Sequence, residues 1–108
     1  LRALQAADPD RVRIVEYART WQGRPLVYAV IASPGRISEL DTIKRDLAQL
    51  ASGAALAASE REALIARIPA VAWLGFGVHG DEITPGDSAL ALAYHLLAAE
   101  NDPVVEQI

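Results

Sequence analysis

Cysteine and methionine are both absent from this 108-residue chain. The lack of cysteine excludes disulfides, a thiol nucleophile and cysteine-ligated zinc, and leaves the compartment open. No apolar run approaches the roughly 20 residues that a membrane-spanning helix needs. The longest are about the length of a strand, so no membrane segment is expected. Basic charge is scarce as well: ten Lys and Arg against fourteen Asp and Glu give a net charge of −4. The arginines are scattered, which argues against the basic face of a nucleic-acid binder. There is no secretory signal pattern. At 52% hydrophobic and 22% charged residues, the chain reads as one globular domain able to bury a core without staples.

Taken in order, Leu1 to Ala7 suits a short helix, and Asp8-Pro9-Asp10 is a turn cluster. Val12 to Ala18 and Leu26 to Ala32 alternate or are β-branched enough for two strands. Between them Thr20-Trp21-Gln22-Gly23 predicts a hairpin turn with Gly23 free to take a positive φ. Trp21 and Arg24 at this turn carry no assigned chemistry. Ser33-Pro34-Gly35 then breaks the pattern. Ser38 with Asp41, and Ser59 with Glu62, resemble capping boxes. They introduce two helices, with Leu40, Ile43, Leu47 and Leu50 on the first and Leu64, Ile65 and Ile68 on the second. Ser52-Gly53 ends the first helix, and the alanine-rich Ala54 to Ala58 is compatible with helix too. The charges of this pair read as a solvated face.

Val71 to Val78 contains no polar residue and predicts a strand covered on both faces in the middle of a mixed sheet. Gly75 and Gly77 within it mark a close approach of backbone or ligand. Thr84-Pro85 predicts the N-cap and first position of a helix. Its apolar stripe is Ala89, Leu92, Ala93, Leu96 and Leu97, widened by Leu90 and Tyr94. Asn101-Asp102-Pro103 closes this helix, and Asp102 to Ile108 reads as the opening of another. Starting at Leu1 without methionine, the chain is expected to hold part of a larger domain.

The chemistry lies where the buried run ends, at His79 and Glu82. The pair sits between Gly77 and Gly80 on one side and the Thr84-Pro85 helix start on the other. A turn there brings one imidazole nitrogen and one carboxylate to a common point, a combination Zn²⁺ accepts while leaving room for a third protein ligand and a water. His95 lies inside the following helix, on the order of 15–20 Å from Glu82 at 1.5 Å per residue. That distance excludes it from such a site, and it reads as a helix-surface or core histidine.

The segment VAWLGFGVHGDEITPGDSALALAYHLL resembles the first zinc-ligand segment of the M14 zinc carboxypeptidases. In that family an HxxE follows a central strand and precedes a long helix. TWQGRPLVYAVIAS is similar to the family's first hairpin, and the two pieces occur in the family's order. The resemblance runs from Val12 to Ile108. It implies an α/β fold, zinc-carboxypeptidase-like but incomplete, with helices packed on a mixed sheet. Residues 1–108 would form the N-terminal portion of one catalytic domain, with a helical insertion at about 38–68 as in larger bacterial relatives. It further implies His79 and Glu82 as the first two zinc ligands, Zn²⁺ as cofactor and a peptide as substrate. In the family zinc polarises the scissile carbonyl, and a glutamate relays the water's proton to the leaving amine. The third ligand histidine and that glutamate lie downstream in the family and have no counterpart in these residues. The 108 residues alone are therefore expected to hold zinc weakly and to turn over no peptide.

One position departs from the digestive members, which carry a basic substrate-contacting residue just before the ligand glutamate. Here that place is Asp81, an acid that disfavours an anionic terminus. Asp81 is thus a candidate substrate-binding residue, or else a cap on the following turn. Three other readings stay open. One is a zinc deacylase of the aspartoacylase and succinylglutamate desuccinylase type, which shares a similar HGxE; the Gly-Arg-Pro hairpin favours the carboxypeptidase branch. The others are a non-catalytic M14-like domain that binds a peptide or partner, and a structural α/β piece in which His79 satisfies backbone groups. Large relatives are commonly exported, so the resemblance implies a secreted or periplasmic protein. The oligomeric state is not implied.

Overall fold

Alternating side chains and a glycine turn build the antiparallel hairpin of β1 (Val12–Arg19) and β2 (Pro25–Ile31). Val12 pairs with Ile31, Ile14 with Ala29 and Glu16 with Val27. The register then shifts between Glu16 and Ala18, so Tyr17 is the extra residue of a bulge. Its ring stands 5.9 Å from that of Tyr28. Gly23 takes a φ of 75°, which an L side chain rarely adopts.

The computed structural model describes residues 1–53 and 55–107, in two units: Leu1–Ile37 with Gly75–Ile108, and Ser38–Leu74. In the first unit α1 (Arg2–Ala7) lies against β1. Gln5 Oε1 accepts the Ile14 N–H at 2.6 Å, satisfying a strand-edge donor that would otherwise stay open. A short α2 (Pro34–Ser38) buries Ile37. The long α5 (Thr84–Ala98) packs on β2. Its stripe of Ala89, Leu92, Ala93, Leu96 and Leu97 is the covered face, with Ala93 buried, whereas Leu90 and Tyr94 are exposed. Val12 is the most deeply buried side chain of the hairpin. Burial of one such residue contributes roughly 1.5–3 kcal/mol.

Arg11 fixes the far end of α5. Its Nη1 donates to the Leu97 carbonyl at 2.9 Å and its Nη2 to the Leu96 carbonyl at 3.0 Å. These are last-turn acceptors with no partner inside the helix. Past Asn101, at φ 58°, Asp102 Oδ1 accepts from the Val104 and Val105 N–H groups and opens a 3₁₀ turn, Val105–Gln107. Ile108, the end of the expected further helix, lies outside the described residues.

The second unit pairs α3 (Leu40–Ala51) with α4 (Ala58–Arg67). Leu64 is buried, and so is one acid, Asp46. The Arg67 guanidinium donates through Nε at 2.6 Å and Nη2 at 2.7 Å to the two Asp46 oxygens. This bidentate pair holds the Asp46 carboxyl below the usual carboxylate range, against the opposing effect of its desolvation. The face read as merely solvated therefore contains the unit's strongest polar contact.

Several expectations shift. The α/β class stands, but the sheet of the described residues is two-stranded and antiparallel, not mixed. Val71 to Val78 forms no strand: no ladder partner stands beside it among the described residues. Val71, Trp73 and Val78 are 66%, 76% and 80% exposed. An apolar run becomes a central strand only when neighbouring strands take its N–H and C=O groups. The strand pattern breaks at Ser33-Pro34-Gly35 as expected, and Pro34 also opens a short helix, because its fixed φ suits a first turn. That places Ser38 inside α2, and the N-cap of α3 is Glu39 without a side-chain cap bond. In α4 the capping acid is Glu60, which accepts the Ala57 N–H at 3.1 Å, not Glu62. Helix α5 begins one residue early, with Thr84 helical and Ile83 at the N-cap. Ala54 lies outside the described residues, 55–57 are not helical, and Ala58 opens α4.

Folding depresses the Asp46 carboxyl, so the Asp46–Arg67 pair stabilises the fold above the unfolded carboxylate value of about 3.9. Its contribution is lost as pH falls through the lower folded value. Asp46→Asn is expected to lower Tm at pH 7 and to melt like the unsubstituted chain at strongly acidic pH. Melts followed by circular dichroism check this, and equal Tm values at pH 7 would contradict it.

Candidate metal centre

Three local devices shape the chain between Gly77 and Pro85. Gly77 sits at φ 70°, and a Cβ there would come 4.0 Å from the Pro85 Cβ. The apolar run therefore ends near a conformation that only glycine takes without strain. Residues 78–81 then turn, with the Glu82 N–H directed at the His79 carbonyl 3.5 Å away. Pro85 in the first turn starts α5. The result sets His79 and Glu82 side by side, with Nδ1 and Oε1 2.9 Å apart. Both side chains are open to solvent, at 70% and 49% exposure. The carboxylate also stands just before the N-terminus of α5, where the helix dipole favours negative charge.

Two donors 2.9 Å apart are close to the spacing a metal needs. Tetrahedral zinc with ligand bonds of about 2.0–2.1 Å puts neighbouring ligand atoms about 3.3–3.4 Å apart. Opening the His79–Glu82 hydrogen bond by about half an ångström reaches that spacing. The chemistry of the set, one neutral imidazole nitrogen and one carboxylate oxygen, suits Zn²⁺ as well. Among the described residues no group of three or more His, Asp and Glu side chains gathers here or elsewhere. The pair thus fits zinc as two of its ligands.

The other candidates stay apart. Asp81 is exposed and takes part in no hydrogen bond or ion pair among the described residues. His95 is a surface residue of the last turn of α5, and its Nε2 meets Asp102 Oδ2 at 3.2 Å. The Asp102 carboxyl is held below its usual range by the Val104 and Val105 N–H groups, and His95 adds to that effect. His95 is accordingly a helix-end side chain engaged with the next turn. The described residues add no further ligand that sequence reasoning had passed over.

A family model described as zinc carboxypeptidase, peptidase M14, matches residues 1–108. The chain belongs to the M14 zinc carboxypeptidase family. No curated protein and no solved structure matched it. Family membership carries a metallopeptidase type of function, with zinc as the family's metal and peptides as its substrates. No helix among the described residues of this M14 chain is long and apolar enough to cross a membrane.

Zinc affinity of the chain, measured by competition with a chromogenic chelator, distinguishes the two histidines. His79→Ala and Glu82→Ala are each expected to weaken binding at least roughly tenfold, and His95→Ala to leave it unchanged. Loss of binding in the His95 variant alone would contradict the assignment.

Proposed function

We propose that this chain contributes to a zinc-dependent carboxypeptidase that cleaves a peptide bond with metal-activated water. His79, through Nδ1, and Glu82 are two of its three protein ligands. The observation that carries the reading is the 2.9 Å approach of these two donors on a glycine turn before a helix, in a chain of this family. Bound zinc would supply Lewis acidity and an acidified water. The residues themselves hold and orient: the turn aims the imidazole, and the start of α5 aims the carboxylate. No third ligand or general base joins the pair among the described residues, so both are assigned to other parts of the enzyme. The family match and the Gly-Arg-Pro hairpin support the carboxypeptidase branch over the acyl-amino-acid deacylases. Separation of Ser38–Leu74 as its own unit is consistent with a helical insertion at about 38–68 within a catalytic domain.

Asp81 is assigned to the substrate side. A capping acid would accept a nearby backbone N–H, and Asp81 accepts none among the described residues. Beside the metal its charge disfavours a free C-terminal carboxylate unless cations elsewhere offset it.

Peptide hydrolysis by the enzyme carrying this chain tests both parts. Activity is expected to vanish with a zinc chelator and return with Zn²⁺, and to be abolished by His79→Ala. Asp81→Asn is expected to raise the kcat/KM ratio of free over amidated C-termini by roughly two- to fivefold, the size of an exposed charge contact. Unchanged selectivity would return Asp81 to a structural role, and chelator-resistant activity would contradict the zinc reading.

A further inference from the structure

At the end of α5 a single carboxylate joins the helix to the chain that follows it. Asn101, at φ 58°, reverses the backbone and brings Asp102 back over the last turn. There Asp102 Oδ2 meets His95 Nε2 at 3.2 Å. Its Oδ1 accepts the Val104 N–H at 2.9 Å and the Val105 N–H at 3.3 Å. The Glu106 N–H donates to the Asp102 carbonyl at 2.9 Å and leads into the 3₁₀ turn. Among the described residues, His95–Asp102 is the only side-chain polar contact between this turn and α5. Val105 and Glu106 also line a cavity with Arg11, Ile31, Pro34 and Leu96, so the turn forms one of its walls.

We infer that His95 and Asp102 form a pH-dependent latch, which holds the 3₁₀ turn on α5 while the imidazole is protonated and loosens it when the ring is neutral. Protonation makes the contact a charge-assisted hydrogen bond. It also puts positive charge in the last turn of α5, where the helix dipole favours it. The neutral ring faces Asp102 with either one N–H or a lone pair, and the ion pair is lost. Asp102 stays ionised across this change, because the Val104 and Val105 N–H groups above all hold its carboxyl below the usual range. The latch is therefore closed from that low carboxylate value up to the histidine range, about pH 6.5, and loosened above it. Other groups at this end do not compete for the ring. Arg11, 3.7 Å from Asp8, is engaged by the Leu96 and Leu97 carbonyls. Strand β2, packed on α5, carries Tyr28 as its one titratable residue. Glu100 and Glu106 make no ion pair with His95. The inference is independent of the zinc reading, since His79 and Glu82 precede the opposite end of α5.

Solvent-exchange NMR of the metal-free, ¹⁵N-labelled 108-residue chain, from about pH 5 to about pH 8, tests it. Protection of the Val104, Val105 and Glu106 amides is taken relative to the intrinsic exchange rate at each pH. It is expected to fall roughly two- to fivefold, with the same midpoint as the His95 ring shifts. His95→Gln keeps an uncharged donor and is expected to hold protection at the lower level at every pH. Unchanged protection with moving amide shifts would show only a through-space effect of charge and overturn the latch. The same fall in His95→Gln, or no protection of these amides at any pH, would overturn it as well.

Discussion

The guanidinium of Arg11 ties the end of one element to the start of another. By taking the Leu96 and Leu97 carbonyls, it satisfies two orphan acceptors and places positive charge where the dipole of α5 is negative. The helix is thereby fixed to the hairpin at its C-terminus while its apolar stripe lies along β2. Twelve residues before Leu96, about 18 Å at 1.5 Å per residue, the same helix starts at Thr84, two residues after Glu82. The hairpin orients the helix, and the helix orients the carboxylate.

At that N-terminal end the control is local. Gly77 permits a reversal that places the chain beside Pro85, and the next residues carry His79 back over Glu82. Neither side chain is buried, so the pair keeps its contact through backbone geometry and not through packing. That arrangement suits a metal arm: two donors close together, accessible, and held by an ordered turn and a helix end. It also explains why Asp81, between them in sequence, is left facing solvent without a partner among the described residues.

Features legible in the sequence were those with a local period or a positional rule. Alternation from Val12 and the Gly23 turn gave the hairpin, and the 3.6-residue spacing of Ala89 to Leu97 gave the buried face of α5. The closeness of His79 and Glu82 was legible because their spacing coincided with a glycine and a helix start. Capping residues were misassigned where a helix began earlier than its Ser-x-x-acid pattern suggested, since Pro34 can open a helix as readily as it ends a strand. Val71 to Val78 announced apolar character, but a strand also needs a ladder partner, and composition does not contain one. The Asp46–Arg67 pair joins residues 21 apart with no local pattern to reveal it. Which imidazole nitrogen faces the carboxylate likewise emerges only from the turn.

His79 and Glu82 as a two-donor metal arm, engaged through His79 Nδ1, can be tested most directly on the imidazole rings themselves. Long-range ¹H–¹⁵N NMR of both histidines during Zn²⁺ titration resolves each ring nitrogen. The expected result is a metal-induced change at His79 Nδ1, with Nε2 of that ring carrying the proton and the His95 ring unaffected. A change at His95 with His79 unaltered, or metal engagement at His79 Nε2, would contradict the arrangement.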